Sequence, residues 1–158
     1  MQKILAIVFV SLLATGLVAQ AAAKKEAPKG GPTPAQLEKA NDKAAFAKED
    51  TAVHKLPENQ GEVHFIPAKL ADFSNAQLAS GAIIGKLDTP HKTVDGIAPG
   101  LYHAYVCKEG DKWCIYYCSG TEVIGKAKSV EKIDDSTNKP SFVENGHAVR
   151  YWILKFSW

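Results

Sequence analysis

Apolar and polar residues alternate with a period of two through most of the second half of the chain. Side chains of a strand point alternately to two faces, so this pattern predicts half-buried strands. Glycine, proline and asparagine turn signals separate the segments, which favours antiparallel neighbours with short connections. The predicted strands are 62–66, 82–87, 101–108, 112–118, 121–130, 141–144 and 147–158, with a polar turn at Asp134–Asn138. We therefore expect a mainly β protein, an antiparallel β-sandwich or small open barrel of about seven strands.

Two segments carry helix-start signals instead. The tetrapeptides that begin at Thr33 and at Ser74 each match a capping box. The first precedes a run to Glu49 that is rich in alanine, lysine and glutamate and favours a helix. Its apolar stripe is mostly alanine, so we expect this N-terminal helix to pack weakly or to lie apart from the core. The second predicts a short helix over 75–80 that ends at Gly81.

The N-terminal segment is typical of a secretory signal peptide. Lys3 provides a positive charge, residues 4–19 form an apolar core, and small residues follow at positions suited to cleavage before Ala22 or Lys24. An exported protein, periplasmic or extracellular, is therefore expected. The predicted organisation is a signal peptide over 1–23, a flexible linker over 24–32, a helix and connecting segment over 33–60, and a β-rich domain over 61–158.

Charge and motifs narrow the function classes. The formal net charge is +2 and falls to +1 once Lys3 is removed, and the lysines are interleaved with acidic residues. This balance gives no electrostatic basis for a nucleic-acid partner. Phosphate-loop, dinucleotide and nucleophile-elbow patterns are absent from the sequence after the signal peptide. We therefore predict no catalytic residue, no cofactor and no enzymatic activity.

The central hairpin can be aligned residue by residue. If Gly110 and Asp111 form a two-residue turn, paired residues have numbers that add up to 221. One face then pairs Val106 with Ile115 and should be core. The opposite face consists of three pairs: Cys107 with Cys114, Tyr105 with Tyr116, and His103 with Cys118.

Three cysteines in an exported protein favour one disulfide and one remaining thiol. Directly opposed residues lie about 4.5 to 5.5 Å apart between Cα atoms, within the range of a disulfide. We therefore predict a Cys107–Cys114 bridge and a free thiol at Cys118. A longer loop would shift the register and could instead bring Cys118 toward Cys107.

The same sheet face is the candidate binding surface, formed by Tyr105, Tyr116 and His103. Aromatic side chains on a rigid sheet provide contact area at low entropic cost. A protein or another cell-envelope component is the expected partner; nucleic acid is excluded, and membrane contact is not favoured. The expected function is a small exported binding or structural module without catalytic activity.

One alternative is a thiol-dependent redox or metal-binding protein. An imidazole such as His103 can lower the pKa of a neighbouring thiol such as Cys118 and make it reactive. A metal site there would need a further ligand, such as His64, His91 or His147. The three cysteines spread too far along their strands to share one ion, so no metal site is predicted.

Two short segments resemble known families. In the last segment Trp152, Leu154, Phe156 and Trp158 alternate with other residues, which resembles the closing strand of bacterial outer-membrane barrels. That resemblance implies a second alternative, an outer-membrane-associated β protein. The stretch 93–106 resembles the proline-glycine turn and following strand of transthyretin-like and carboxypeptidase-regulatory sandwich domains. This implies a sandwich architecture.

Overall fold

A computed structural model describes residues 30–71, 73–90 and 98–158. The predicted signal peptide at 1–23 and most of the predicted linker at 24–32 lie outside the described residues. Within the described ranges, no helix combines the length and the apolar character needed to cross a membrane.

The described part of the chain contains two α-helices and eight strands, so the expectation of a mainly β protein is confirmed. The helices are α1 (Pro34–Lys43) and α2 (Asn75–Ser80); the strands are β1 (Ala52–Lys55), β2 (Glu62–Pro67), β3 (Ala82–Thr89), β4 (Gly100–Glu109), β5 (Lys112–Ser119), β6 (Glu122–Lys126), β7 (Val130–Val143) and β8 (Ala148–Ser157). Strands β1 to β6 form one antiparallel sheet in chain order, and β7 pairs with β8 separately.

Both predicted capping boxes are present. The side chain of Thr33 accepts a hydrogen bond from the Gln36 N–H at 3.3 Å, and that of Ser74 accepts one from the Gln77 N–H at 3.2 Å. Helix α2 has the predicted bounds and ends at Gly81, whose φ of +124° suits glycine.

Helix α1 is shorter than the predicted run to Glu49. It ends at Lys43 because Ala44 adopts an extended conformation and the next residues pair with the end of β2. The N–H of Ala47 donates to the Pro67 carbonyl at 2.9 Å, and the N–H of Lys69 donates to the Ala45 carbonyl at 2.7 Å. These long-range bonds take the backbone groups that a longer helix would use.

The predicted register of the central hairpin is confirmed at every pair from Glu109 with Lys112 to His103 with Cys118. Gly110 has a φ of +63° and occupies the first central position of the turn, the place of glycine in a type II′ hairpin. The turn therefore fixes which side chains of β4 and β5 share a face.

One strand is absent from the prediction, and another is much longer than the predicted strand at 141–144. Strand β1 lies inside the segment predicted as helix and connection, and its residues pair with β2 from Ala52 opposite Phe65 to Lys55 opposite Glu62. Strand β7 runs through Asp134–Asn138, which the sequence predicted as a polar turn. Its register against β8 shifts twice, so the extra polar residues are accommodated as bulges within one strand rather than as a loop.

One face of the six-stranded sheet packs against β8 and forms the larger core. The OH of Tyr117 donates to the Ser157 carbonyl, and the OH of Tyr151 donates to the Ala68 carbonyl at 2.6 Å. Both bonds tie β8 to the sheet. The buried members are Val63, Phe65, Leu78, Ala82, Ile84, Leu87, Tyr102, Ala104, Val106, Ile115, Tyr117, Ala127, Val149, Tyr151, Leu154, Phe156 and Trp158.

Helix α1 covers the other face, which corrects the expectation that it packs weakly or lies apart. Leu37 is fully buried. Asn41 fastens the helix to the hairpin, because its Nδ2 donates to the Gly120 carbonyl at 3.0 Å while its Oδ1 lies 2.6 Å from His103 Nδ1. The second core cluster consists of Leu37, Ala40, Ile83, Tyr105, Cys114, Tyr116 and Cys118.

We expect Leu37→Ala to lower the free energy of unfolding by about 2 to 5 kcal/mol, because it leaves a cavity between α1 and the sheet. Urea unfolding followed by tryptophan fluorescence measures the change. Glu38→Ala, on the exposed side of the same helix, should stay within about 0.5 kcal/mol of the parent. Equal effects of the two substitutions would contradict the packing of α1 described above.

Candidate functional site

The tyrosines of the predicted aromatic binding surface are buried. Tyr105 is only 3% exposed and Tyr116 is fully buried, since α1 lies over them. His103 is half-buried, and its ring packs against Phe46 with centroids 5.6 Å apart. The expected exposed face is therefore corrected to an interior face, and these tyrosines cannot meet a large partner while α1 is in place.

His103 and Cys118 are opposed as predicted, but each has another partner. His103 Nδ1 donates to Asn41 Oδ1, since the amide group of Asn41 faces Gly120. The Cys118 thiol donates to the Tyr116 carbonyl at 3.7 Å. No hydrogen bond joins the imidazole to the thiol among the described residues.

The protonation states of this pair do not suit a nucleophile. Burial, with a smaller effect of Cys107, raises the pKa of the Cys118 thiol to about 12. Burial, together with the charge of Lys86, lowers the pKa of His103. At neutral pH the thiol is therefore protonated and the imidazole neutral, whereas an activated cysteine is a thiolate beside an imidazolium.

The predicted Cys107–Cys114 disulfide is not present, and all three cysteines are free thiols. The register is as predicted, but pairs alternate along a hairpin between hydrogen-bonded and non-hydrogen-bonded types. Glu109 and Lys112 close the two-residue turn as a hydrogen-bonded pair. Cys107 and Cys114 lie two positions farther along and are therefore of the same type, in which the side chains lie farther apart. The Cys114 thiol instead donates to Glu109 Oε2 at 3.4 Å.

Glu109 organises a small polar cluster at the end of the hairpin. Its carboxylate accepts hydrogen bonds from the Tyr116 hydroxyl and from Lys126 Nζ, the latter at 3.2 Å. The hydrogen bond from Tyr116 is the main reason that the pKa of Glu109 is lowered. Burial, followed by that same bond, raises the pKa of Tyr116 to about 12. The polar side chains of this cluster therefore find their hydrogen-bond partners within it.

Within the described ranges, no three histidine, cysteine or acidic side chains converge as a metal site would require. His64 Nε2 lies 3.0 Å from Glu62 Oε2, and His147 is exposed. His91 lies outside the described residues.

We expect Cys118 to react slowly with a thiol reagent in the native protein. The double variant Cys107→Ser/Cys114→Ser leaves Cys118 alone. A pKa near 12 rather than 9 lowers the thiolate fraction at pH 8 about a thousandfold. Labelling should therefore be at least that much slower than in urea-unfolded chain. Labelling at the unfolded rate would contradict the burial of this thiol.

A second location has the features of a binding site. A cleft of about 570 Å³ opens between the 3-10 turn at Lys48–Asp50, the end of β2 and the middle of the β7–β8 pair. We name it the polar cleft. Its lining residues are Ala47, Glu49, Asp50, Pro67, Ala68, Lys69, Leu70, Ala71, Thr137, Asn138, Tyr151 and Trp152. Its volume is in the range of small-molecule sites.

Two irregularities meet at the wall of the polar cleft. Thr137 and Trp152 are paired between the two bulges of β7. The Thr137 Oγ1 atom is buried without a hydrogen-bond partner among the described residues, and Trp152 has a φ of +56°. An unsatisfied buried hydroxyl and a left-handed tryptophan each cost stability. Such costs concentrate at functional sites.

The polar cleft offers both donors and acceptors. Glu49 and Asp50 provide carboxylate oxygens, Lys69 provides an ammonium group, and Asn138 provides both kinds of atom. Asp50 is paired with Lys139 at 3.1 Å, but Lys139 is largely exposed. A surface ion pair of this kind is weak, so it can yield to a ligand.

Sequence reasoning missed the polar cleft because its walls come from segments far apart in the chain. Thr137 and Asn138 fall in the predicted turn, and Asp50 falls in the predicted connection. In the sequence, Trp152 belongs only to the alternating pattern of the last strand. No local signal predicts that these residues meet.

Comparison of the chain with protein-family models, with curated proteins and with solved structures finds no match. The functional conclusion therefore depends on the geometry of the chain's own residues.

Proposed function

We propose that this protein is an exported, non-catalytic binding module, and that the polar cleft binds a hydroxyl-rich ligand such as a glycan of the cell envelope. The observation that carries the proposal is the unpartnered Thr137 hydroxyl, buried at the wall of that cleft beside Trp152. This oxygen is closed to solvent, so we propose that the lining side chains shift to admit a ligand hydroxyl, whose bond to Thr137 would recover the free energy lost by burial.

The chemistry of the lining residues supports this ligand class. Sugar hydroxyls both donate and accept, which suits a site that contains carboxylates, an amide, a hydroxyl and an ammonium group. The side chain of Trp152 offers an aromatic surface for the apolar C–H groups of a sugar ring. A ligand of one charge sign would leave either Glu49 or Lys69 uncompensated.

The absence of catalysis is part of the proposal. A protonated, buried Cys118 and a neutral His103 bonded to Asn41 support a structural role for the sequence-predicted thiol site. We propose that these residues help to hold α1 against the sheet.

We also propose that the architecture is a β-sandwich. The packing of β8 against one face of the six-stranded sheet supports two layers with a shared core. In such an arrangement the polar cleft lies at the margin between the layers, where β2 and the β7–β8 pair approach each other.

Titration with soluble oligosaccharides, such as chitooligosaccharides and cellooligosaccharides, tests the proposed ligand. Binding should change tryptophan fluorescence, because Trp152 lines the polar cleft. Trp152→Asn should weaken binding about tenfold or more, equivalent to about 1.4 kcal/mol, while asparagine tolerates the left-handed backbone. If every oligosaccharide leaves the fluorescence unchanged at millimolar concentration, the proposal is wrong.

Thr137→Val should affect stability and binding in opposite directions. Removing the unsatisfied hydroxyl should raise the free energy of unfolding by about 1 kcal/mol and weaken binding. Thr51→Val is the matched control, because the Thr51 hydroxyl already donates to the Lys48 carbonyl at 2.7 Å. The control should lose about 1 kcal/mol of stability and retain binding. Loss of stability in Thr137→Val would show that its hydroxyl has a partner.

Export is tested by the mass of the mature chain isolated from a cell fraction. We expect a periplasmic or secreted product that begins at Ala22 or Lys24. A full-length product in the cytoplasm would contradict the proposed export.

A further inference from the structure

A second cleft lies between the two helices. It has a volume of about 420 Å³ and is bounded by one face of α1, by α2 with its flanking residues, and by Tyr105 of β4. We name it the helix cleft. Its polar side chains are Gln36, Lys39, Lys43, Gln77, Ser80 and Tyr105.

The two capping boxes engage the amide oxygens of Gln36 and Gln77. Gln36 Oε1 accepts the Thr33 N–H at 2.8 Å, and Gln77 Oε1 accepts the Ser74 N–H at 2.8 Å. Each amide oxygen therefore already accepts one hydrogen bond from its cap, while Nε2, which only donates, takes part in neither capping box.

Tyr105 adds a hydroxyl donor at the cleft. A Cβ at Gly81 would lie 1.8 Å from the Tyr105 oxygen, so the hydroxyl occupies a place that a glycine keeps open. This hydroxyl has no hydrogen bond to any of the described residues. Burial raises the pKa of Tyr105 to about 12, so the group is protonated at neutral pH and can donate.

The described residues of the helix cleft carry charges of one sign. Lys39 and Lys43 are one helical turn apart on the same face of α1, and no carboxylate occurs among the lining residues that the structure describes. Ser80 uses its hydroxyl hydrogen within α2, donating to the Ala76 carbonyl at 2.9 Å. The described lining of the helix cleft therefore contains two ammonium groups, two amide groups and a phenol, all of which can donate.

We infer that the helix cleft is a binding site for a small organic oxyanion, with a carboxylate or phosphate group at the lysines and an apolar part against Phe73 and Ala40. A neutral or cationic ligand would leave the two lysines uncompensated. An anion gains charge-assisted hydrogen bonds, which are about twice as strong as neutral ones. This site is separate from the polar cleft in its residues and in its ligand.

Calorimetric titration of the purified chain with inorganic phosphate, citrate and benzoate tests the inference, each at constant ionic strength set with chloride. We expect saturable binding of at least one probe. Phosphate alone would identify a phosphate ligand, and citrate or benzoate alone would identify a carboxylate; either supports the site. No binding of any probe at 10 mM, about the weakest affinity useful for such a site, would overturn it.

Three variants locate the binding. Lys39→Gln/Lys43→Gln should weaken binding about tenfold or more, because it removes both positive charges, and Tyr105→Phe should weaken it about threefold to tenfold, because it removes the phenolic donor. Lys48→Gln removes an exposed lysine outside the helix cleft and should leave binding unchanged. If Lys48→Gln weakened binding as much as Lys39→Gln/Lys43→Gln does, the anions would be responding to the overall positive charge of the protein, and the proposed site would be overturned. Thermal unfolding of each variant verifies that it is folded, and oligosaccharide titration tests the polar cleft independently.

Discussion

The structure depends on the pairing of β4 with β5 through the tight turn at Gly110. A two-residue turn leaves no freedom in register, and a shift by one residue would exchange the two faces of both strands. The pairing places Val106 and Ile115 in the larger core. It places Tyr105 and Tyr116 on the opposite face, where a second apolar layer is then required. Helix α1 is that layer.

The helix and the hairpin are joined by a polar contact as well as by apolar packing. Asn41 bonds to both His103 and the Gly120 carbonyl. This contact gives His103 a partner other than the Cys118 thiol, with which it would otherwise suggest catalysis. Burial favours the neutral forms of both groups, which supports the structural role that we propose for them. The sites that we propose for ligands lie elsewhere, in the polar cleft and the helix cleft.

Short sequence motifs correctly predicted the helix caps and the hairpin turn. The caps at Thr33 and Ser74 and the turn at Gly110 were found because a few neighbouring residues determine them. The rest depends on partners distant in sequence. Residues 134–138 are polar enough for a turn, yet pairing with β8 holds them in a strand. The alanine-rich stripe of α1 gave no indication that Leu37 would be fully buried. The polar cleft could not be predicted, because it is assembled from four segments of the chain that only the fold brings together.

The most direct test of this account is whether α1 lies on the tyrosine face of the hairpin in solution. Nuclear Overhauser effects between the methyl groups of Leu37 and the side chains of its cluster report this contact. We predict cross-peaks from Leu37 to Ile83 or to the rings of Tyr105 and Tyr116, together with backbone cross-peaks between Val106 and Ile115. Absence of the Leu37 cross-peaks, with tyrosine rings open to solvent, would contradict the account.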